Sequence, residues 1–347
     1  MPFRQSSNPC VLVTGGAGYI GSHTCKALAR AGFEPLTFDN LSTGHRWAVK
    51  WGHLLEADLT DGCAIASALD FYRPVAVIHF AASAYVGESV AKPRKYFQNN
   101  VRNTLNLLDA MVDAGVRHLV FSSTCATYGI PRELPIPEAH SQRPVNPYGE
   151  SKLFVERALH WYGQAYGLTS LALRYFNAAG ADPEAELGED HAPETHLIPL
   201  AIGAALGSHP PLKVFGTDYP TPDGSCIRDY IHVSDLAAAH ATALEAVLRM
   251  DSGRATALNL GTGIGHSVLE VVACVRDVVG QDVPFMRGAR RPGDPPKLVA
   301  QSSAKEVLGW SPCQSSLTKI VESAHRWHAY RRICCGSEAV VSEAIST

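Results

Sequence analysis

The sequence predicts an α/β fold of the doubly wound, Rossmann type, with a helix-covered parallel sheet and a smaller C-terminal α/β portion. Short apolar runs alternate with helical spacing through the first half of the chain, as in consecutive βαβ units. The runs are apolar at nearly every position, as in Val11-Leu12-Val13, which is expected of strands buried on both faces. A glycine-rich turn follows the first run directly. Together these three observations predict the fold class.

The predicted elements divide the chain near residue 180. Strands are predicted at Cys10–Thr14, Pro35–Asp39, His53–Asp58, Ala76–Ala81, Leu119–Ser123 and Ser170–Phe176. The helices predicted among and after them include Ser22–Ala31, Tyr96–Ala114, Lys152–Tyr166, Ser234–Met250 and Val268–Val279. We expect residues 1–180 to bind a dinucleotide and residues 181–347 mainly to bind substrate, with helices that return to the first sheet. The active site is expected outside the carboxyl ends of the strands.

Composition excludes several classes of protein. A net charge of −3 gives no basic surface for nucleic acid or an anionic membrane. No apolar stretch has the length of a membrane span, and the N-terminus lacks the layout of a signal peptide. Nine cysteines without metal-type spacing suit a reducing compartment. We therefore expect a cytoplasmic protein in which Cys334 and Cys335 are incidental thiols, and the tail Cys334–Thr347 suggests no function.

The glycine-rich turn predicts a phosphate-binding loop. Gly15, Gly18 and Gly21 are three residues apart, directly after a strand and at the start of a helix. Glycine allows the tight turn and close approach of the backbone to a pyrophosphate, and the helix N-terminus presents free N–H groups. Asp39 ends the next strand, where an acid meets the ribose hydroxyls of a dinucleotide, although Asp39-Asn40 is also a good turn pair. An acid there favours NAD over NADP, because it repels a 2′-phosphate.

Tyr148 and Lys152 are the predicted catalytic pair. They are four residues apart on a predicted helix, so their side chains share a face. Lowering the pKa of a tyrosine by about 2–3 units requires roughly 3–4 kcal/mol of phenolate stabilisation. A positive charge about 5 Å away supplies roughly 3 kcal/mol at an effective dielectric constant of 20, and Lys152 could be that charge, with an oxidised nicotinamide as a second. Thr124 ends a strand at the same sheet edge, where a hydroxyl can relay a proton, although such residues commonly just form turns.

These motifs resemble those of the extended short-chain dehydrogenase/reductase family and, within it, the UDP-glucose 4-epimerases. The resemblance covers roughly residues 9 to 332. Seven phrases carry it: Gly15–His23, His79–Ala82, Val86–Ser89, Asn146–Tyr148, Arg174–Asn177, Arg228–Val233 and Arg290–Asp294. The last two are the more specific to nucleotide-sugar epimerases. The resemblance implies interconversion of UDP-glucose and UDP-galactose through a 4-keto sugar, with NAD retained throughout.

The resemblance also implies site residues. Tyr148 becomes the base, Lys152 its electrostatic partner and Thr124 the hydroxyl relay. The implied cofactor contacts are Gly15, Gly18, Tyr19, Ile20, Gly21, Asp39, Asn40, Asp58, Leu59, Phe80, Ala81, Ala82, Asn99, Tyr148, Lys152 and Phe176. The implied contacts to the UDP-sugar are Thr124, Tyr148, Asn177, Arg228, Arg291, Asp294 and Leu298. The arginines suit a diphosphate, because guanidinium groups match phosphate oxygens; a structural Arg228–Asp229 ion pair is the alternative.

The sequence departs from the family pattern at three positions. Thr124 stands where many members have serine, so the hydroxyl is kept but its rotamers are restricted. Ala84 stands where some members place a lysine against the cofactor phosphates. Leu298 stands where some members have a larger aromatic residue, so room for an N-acetylated sugar is left open.

Other functions remain as alternatives. A UDP-xylose/UDP-arabinose 4-epimerase would carry the same motifs. A nucleotide-sugar dehydratase would need an acid/base pair after Thr124, where Cys125-Ala126 supplies none. A non-catalytic NAD-sensing protein would not need Tyr148 and Lys152 together.

Two further expectations concern metals and partners. His191 and His196 flank Glu194, but Pro193 prevents a helical ligand set, so we expect scattered surface histidines and no metal site. The helices at 96–114 and 152–166 carry more apolar residues than one buried stripe needs. In the family the corresponding helices pair across a two-fold axis, so the resemblance implies a homodimer.

Overall fold

The computed structural model describes residues 8–291 and 293–344, and side chains as far as residue 331. Pro292, Cys334 and Cys335 lie outside the described residues or side chains, as does most of the tail for which no function was predicted.

Seven parallel strands form the main sheet. They are β1 (Cys10–Thr14), β2 (Glu34–Asp39), β3 (His53–Glu56), β4 (Ala76–His79), β5 (His118–Thr124), β6 (Thr169–Tyr175) and β10 (Ala255–Leu260). Their order across the sheet is β10-β6-β5-β4-β1-β2-β3. The chain reverses direction of winding between β1 and β4, and a ligand crevice opens at such a point beyond the carboxyl ends. The predicted Rossmann-type fold is confirmed, and the six predicted strands are correct to within one or two residues at each end.

Alternate residues of the strands supply two separate cores. Val11 and Val13 of β1 pack on one face with α1 (Tyr19–Arg30) and α8 (Val233–Val247). Leu12 packs on the other face with α2 (Gly62–Tyr72), α5 (Asn103–Asp113) and α6 (Pro147–Tyr166). Burial on both faces explains why the strands are apolar at successive positions.

The predicted helix at 96–114 is a composite. The short α3 (Val86–Ala91) and α4 (Pro93–Tyr96) precede a π-helical segment, Phe97–Arg102, which runs directly into α5. Such π-helical segments occur frequently at functional sites, and this one carries Asn99 and Asn100.

Helix α6 begins at Pro147, five residues before the predicted start. The Asn146 side chain caps it by accepting a hydrogen bond from the Gly149 N–H at 2.9 Å, and proline occupies the first helical position. Tyr148 and Lys152 therefore lie on one helix, one turn apart, as predicted.

The C-terminal portion holds more regular structure than its proline and glycine content suggested. The strands β7 (Asn177–Ala179), β9 (Ile227–His232), β11 (Gly265–Ser267) and β13 (Lys297–Leu298) form a small mixed sheet. A parallel pair joins β8 (Leu212–Phe215) to β12 (Phe285–Gly288). The helices are α7 (Leu197–Ala205), α9 (Val268–Val279), α10 (Ala304–Leu308) and α11 (Leu317–Ala344). Residues of α7, α9 and α11 share a third core. In the described part of the chain, no helix combines the length and apolarity that crossing a bilayer requires.

Candidate active site

The loop between β1 and α1 is tightly folded against the segment that follows β4. Gly15 has a φ of +73°, and a Cβ there would approach the Ala81 nitrogen to 2.6 Å. A Cβ on Gly21 would come within 2.2 Å of the Gly15 carbonyl oxygen. Gly18 caps α1 without a side-chain hydrogen bond, so the helix offers its first N–H groups to an external acceptor. These features fit a pyrophosphate, which needs a close backbone and free N–H donors.

The first two residues of α1 contact the segment after β7 and one core of the main sheet. The Tyr19 hydroxyl donates to the Gly180 carbonyl at 2.6 Å, and Ile20 packs against the core beneath the sheet. The start of α1, with its two predicted cofactor residues, is thereby held in position.

Asp39 is buried at the carboxyl end of β2, beside the same loop. Its carboxylate accepts hydrogen bonds from the Ala17 N–H at 3.0 Å and from the Leu41 N–H at 2.8 Å. Burial raises the pKa of Asp39, and these two backbone hydrogen bonds oppose the increase. Each carboxylate oxygen retains a further lone pair, so the group can still accept from a ribose hydroxyl.

Two of the implied cofactor contacts, Asp58 and Leu59, lie next to a third, Asn40. The Asn40 amide donates to Asp58 at 2.5 Å, and the Thr60 N–H donates to its other oxygen at 2.8 Å. The Asn40 hydrogen bond is the main cause of a lowered Asp58 pKa. Leu59 is largely buried, with 7% of its surface exposed, and its carbonyl accepts from Asn106.

The predicted contacts Phe80, Ala81 and Ala82 follow β4 at the switch point of the sheet. The N–H groups of Phe80 and Ala81 both donate to the Thr14 carbonyl, at 2.9 and 3.1 Å. Asn99 lies on the π-helical segment nearby and donates to the Ser83 hydroxyl at 3.1 Å. All four residues therefore border the crevice beside the phosphate loop.

The proposed catalytic side chains meet at the end of β5. The Thr124 hydroxyl lies beside the Tyr148 phenol, and 6% and 8% of the two residues' surfaces are exposed. The Lys152 ammonium donates to the Ser122 carbonyl at 2.8 Å and lies 4.9 Å from the centre of the Phe121 ring. The structure thus brings together the three residues that the sequence predicted.

Burial dominates the acidities of this pair in the chain by itself. Burial raises the pKa of Tyr148 well above its ordinary value, nearby Tyr175 adds to the increase, and the Thr124 hydroxyl only partly opposes it. Burial also lowers the pKa of Lys152 to about 7, against the opposing influence of Glu156. Because Lys152 is itself desolvated, its charged form is weakened. The lowered Tyr148 pKa that the sequence suggests therefore depends on the second positive charge, that of an oxidised nicotinamide.

On the opposite side of the cleft, Arg228 pairs with Asp294. The Arg228 guanidinium contacts the Asp294 carboxylate and donates to the Pro295 carbonyl at 2.9 Å. Asp229, the alternative partner considered from the sequence, instead accepts from backbone N–H groups, including Thr262 at 2.9 Å. The neighbouring Arg291 is exposed and stacks over Phe215, with 4.0 Å from the guanidinium carbon to the ring centre.

An apolar cluster joins the two sides of the cleft. Phe176 and Cys125 are buried in it, and Leu298 packs against it while remaining partly exposed. Leu298 pairs with Arg228 across β13 and β9, and Asn177 begins β7, which pairs with β9 at Tyr230–His232. Because Cys125 follows Thr124 directly, the predicted substrate residues approach the catalytic hydroxyls.

Comparison with known proteins identifies the family to which this chain belongs. The sequence profile of the NAD dependent epimerase/dehydratase family matches residues 11–261. The chain belongs to this family. It shares 52% identity over 320 residues with a UDP-glucose 4-epimerase of Rhizobium leguminosarum bv. trifolii, covering 92% of this chain and 97% of that protein.

Solved structures of such epimerases have the same fold. The UDP-glucose 4-epimerase of Brucella ovis in complex with NAD is 52% identical, with a TM-score of 0.89 over 92% of this chain and 98% of that one. The Bifidobacterium longum enzyme in complex with NAD+ and UDP is 36% identical, with a TM-score of 0.88 and the same coverages. NAD is the cofactor of this epimerase family, and the loop and Asp39 described above fit it.

Two residues of this epimerase-family site were missed from the sequence. Asn100 donates to the Ser83 carbonyl at 2.9 Å and to the Ser151 hydroxyl at 3.0 Å, so it ties the segment after β4 to α6. Tyr219 is 5% exposed, and its buried hydroxyl has no hydrogen-bond partner within the described residues. Single asparagines and tyrosines carry no signal in a sequence; only their neighbours in space distinguish them.

Proposed function

We propose that this chain is a UDP-glucose 4-epimerase, which inverts the C4 configuration of UDP-glucose and UDP-galactose through a 4-keto sugar. The observation that carries the proposal is the neighbouring pair Thr124–Tyr148, with Lys152 one turn along α6, between a dinucleotide loop and Arg228. The relatives that bear this activity in their names match nearly the whole chain.

The chain's own residues move the proton. Thr124 accepts the proton of the sugar 4-hydroxyl and passes its own to Tyr148, and the reverse transfer re-forms the hydroxyl after inversion. NAD, when bound, supplies a reversible hydride acceptor and, in its oxidised form, a positive charge. Because burial holds the Tyr148 phenol protonated in the chain alone, a second positive charge beside Lys152 is what makes Tyr148 a base.

The residues that bind the diphosphate must hold the substrate while its sugar turns. Arg228 is ordered by Asp294 and Pro295, and the exposed Arg291 can close over the phosphates. Asn177, Phe176 and Leu298 line the space toward Thr124. In this proposal residues 1–180 bind NAD and carry the catalytic pair, and residues 181–347 mainly hold the UDP-sugar.

The residue after Thr124 argues against dehydration. That reaction needs an acid and a base at this place, but burial raises the pKa of the Cys125 thiol to about 12. A thiol of that pKa does not ionise at neutral pH, and Ala126 has no titratable group.

The test is turnover without added cofactor. The purified chain, incubated with UDP-galactose alone, is expected to form UDP-glucose, and Tyr148→Phe is expected to be inactive while still containing NAD. If NAD is retained but neither UDP-galactose nor UDP-glucose reacts, the sugar assignment is wrong, and turnover of UDP-arabinose would establish the pentose alternative. Activity of Tyr148→Phe equal to that of the wild type would refute the catalytic assignment.

We also propose a homodimer formed through α6 and the π-helical segment. Phe97, Phe154 and Trp161 are 41%, 47% and 65% exposed, and the last two lie two turns apart on one helix face. Exposed aromatic residues on adjacent elements are typical of an interface. The measurement is the molar mass by light scattering: a dimer is expected, and Trp161→Glu is expected to dissociate it, whereas a monomeric wild type would contradict the proposal.

A cytoplasmic location completes the proposal. All seven described cysteines are free thiols, as suits a reducing compartment.

A further inference from the structure

Four side chains in the segment before α7 converge on one point. Glu189, His191, Glu194 and His196 each direct a ligand atom inward, and these atoms all lie within 4.8 Å of one another. The expectation of scattered surface histidines is therefore wrong. The sequence could not show this, because the segment is a loop and its fold decides which side chains meet.

Three of the four nitrogen–oxygen separations within this four-residue cluster suit a tetrahedral ion. The His191 Nδ1 atom lies 3.1 Å from Glu189 Oε1 and 3.7 Å from Glu194 Oε2. The His196 Nδ1 atom lies 3.5 Å from Glu194 Oε1, and it shares a hydrogen bond with Glu189 that a bound ion would replace. Zinc bonds of about 2.0–2.2 Å in tetrahedral geometry place neighbouring donor atoms about 3.4 Å apart. Imidazole nitrogen and carboxylate oxygen are both common zinc donors.

Burial and one unpartnered nitrogen also point to a missing cation, although the Glu194 carboxylate accepts from the N–H groups of Thr195 and His196. The side chains of Glu189 and Glu194 are only 4% and 9% exposed, and within the described residues their ion-pair partners are the two histidines alone. The His191 Nδ1 atom is buried and has no hydrogen-bond partner in the described structure, although a carboxylate oxygen lies 3.1 Å away. That oxygen is near the nitrogen but outside hydrogen-bond geometry, an arrangement that two ligands of one ion adopt.

A second group of carboxylates provides a contrast. Asp182, Glu184 and Glu186 also converge, but the Lys26 ammonium lies among them at 2.5–2.8 Å and supplies the positive charge. The four-residue cluster has no such lysine or arginine in the described part of the chain.

We propose that Glu189, His191, Glu194 and His196 bind one zinc ion at a structural site separate from the catalytic residues. Four protein ligands leave no open coordination position, which is the pattern of structural rather than catalytic zinc. The His191 ring lies 6.3 Å from Tyr19 at the start of α1 and 6.1 Å from Tyr85 at the start of α3. The ion would therefore fix the segment before α7 against the phosphate loop.

The competing arrangement is a set of ion pairs without metal. Burial disfavours protonated imidazoles, but the two carboxylates outweigh it and raise the pKa of His191 to about 9 and of His196 to about 10. Two imidazolium groups would then balance two carboxylates.

Metal analysis of the full NAD-containing chain distinguishes the two. After chelator treatment and desalting, titration with a zinc salt alone is expected to restore one zinc per chain and to raise the melting temperature. The double variant His191→Gln/His196→Gln is expected to lose both effects. His53→Gln, on the exposed strand β3, is the matched control and is expected to keep them.

A second measurement needs no variant. Cobalt(II) in the wild-type chain is expected to give the intense visible absorption of four-coordinate cobalt, which zinc then displaces. Failure of the wild type to bind stoichiometric zinc, equal zinc binding by the double variant, or only the weak spectrum of six-coordinate cobalt would each overturn the proposal.

Discussion

Gly149 packs directly against the carbonyl oxygen of Ala126, so closely that a Cβ at residue 149 would approach that oxygen to 2.5 Å. Ala126 lies in the 3₁₀ turn that follows Thr124, and Gly149 follows Tyr148 in the first turn of α6. This backbone contact sets how near the hydroxyls of Thr124 and Tyr148, the two proposed proton-transfer groups, can come. A side chain at residue 149 would move one backbone segment away from the other.

Gly149→Ala is expected to lower kcat by about 100-fold, because a displacement of about 1 Å costs that much in a positioned proton transfer. It is also expected to lower the melting temperature. Without this contact, alanine would stabilise a helix interior relative to glycine by about 1 kcal/mol. A lower melting temperature in the variant would therefore show that the contact is present. Gly62→Ala, where a Cβ meets nothing within 4 Å, is the control and should not destabilise α2. Wild-type activity in Gly149→Ala would show that the contact does not position Tyr148.

Lys152→Met is expected to abolish epimerisation but to stabilise the NAD-free chain. The folded pKa of Lys152, about 7, lies below its ordinary value of 10.5, so folding releases a proton between these pH values. The resulting penalty is fully present below about pH 7 and disappears as the pH rises toward the ordinary pKa. Removing the charge should therefore raise the free energy of unfolding at pH 6 by several kcal/mol, on the order set by the pKa shift.

Urea unfolding at about pH 6 and about pH 9.5 measures this difference. The amount by which the free energy of unfolding of Lys152→Met exceeds that of the wild type should be smaller at the higher pH. Lys305→Met, at an exposed position of α10, should show no such change. A gain independent of pH would mean that Lys152 is not desolvated.

Arg228→Gln is expected to raise the KM for the UDP-sugar by about 10- to 100-fold, the range of a lost hydrogen bond to a charged group. The substitution also leaves the Asp294 carboxylate without its guanidinium partner. Steady-state kinetics should show a smaller change in kcat, because Arg228 holds the diphosphate rather than the reacting carbon. Arg249→Gln, an exposed residue after α8, serves as the control. An unchanged KM in Arg228→Gln would place the diphosphate elsewhere.

Leu298→Tyr is expected to make the enzyme select UDP-galactose over an N-acetylated UDP-sugar. Leu298 packs beside Cys125 and Phe176, so a larger ring at residue 298 would fill space next to Thr124. We expect the wild type to epimerise both UDP-galactose and UDP-N-acetylglucosamine, and the variant to keep only the first. The measurement is the ratio of kcat/KM values for the two substrates. A wild type that is active on UDP-galactose but inert toward the N-acetylated sugar would refute the expectation.

Local features of the sequence were enough to predict most of the main sheet. Buried parallel strands are apolar throughout, and the loop glycines and Asp39 stand at fixed places relative to them. Helical periodicity alone places the side chains of Tyr148 and Lys152 on the same face, because they are four residues apart. Strand β10 was missed because Ala255, Thr256 and Ala257 are small or polar and join the sheet only by pairing with β6.

What the sequence determined by itself is the NAD-binding fold and the proposal of Tyr148 and Lys152 as a catalytic pair, because each depends on residues close together in the chain. Tertiary structure alone decided the partner of Arg228, the tie through Asn100, the contact at Gly149 and the convergence of Glu189 with His191, Glu194 and His196. It also decided the acidity of Tyr148 in the chain by itself. Burial sets that pKa, and burial depends on every element packed around the phenol.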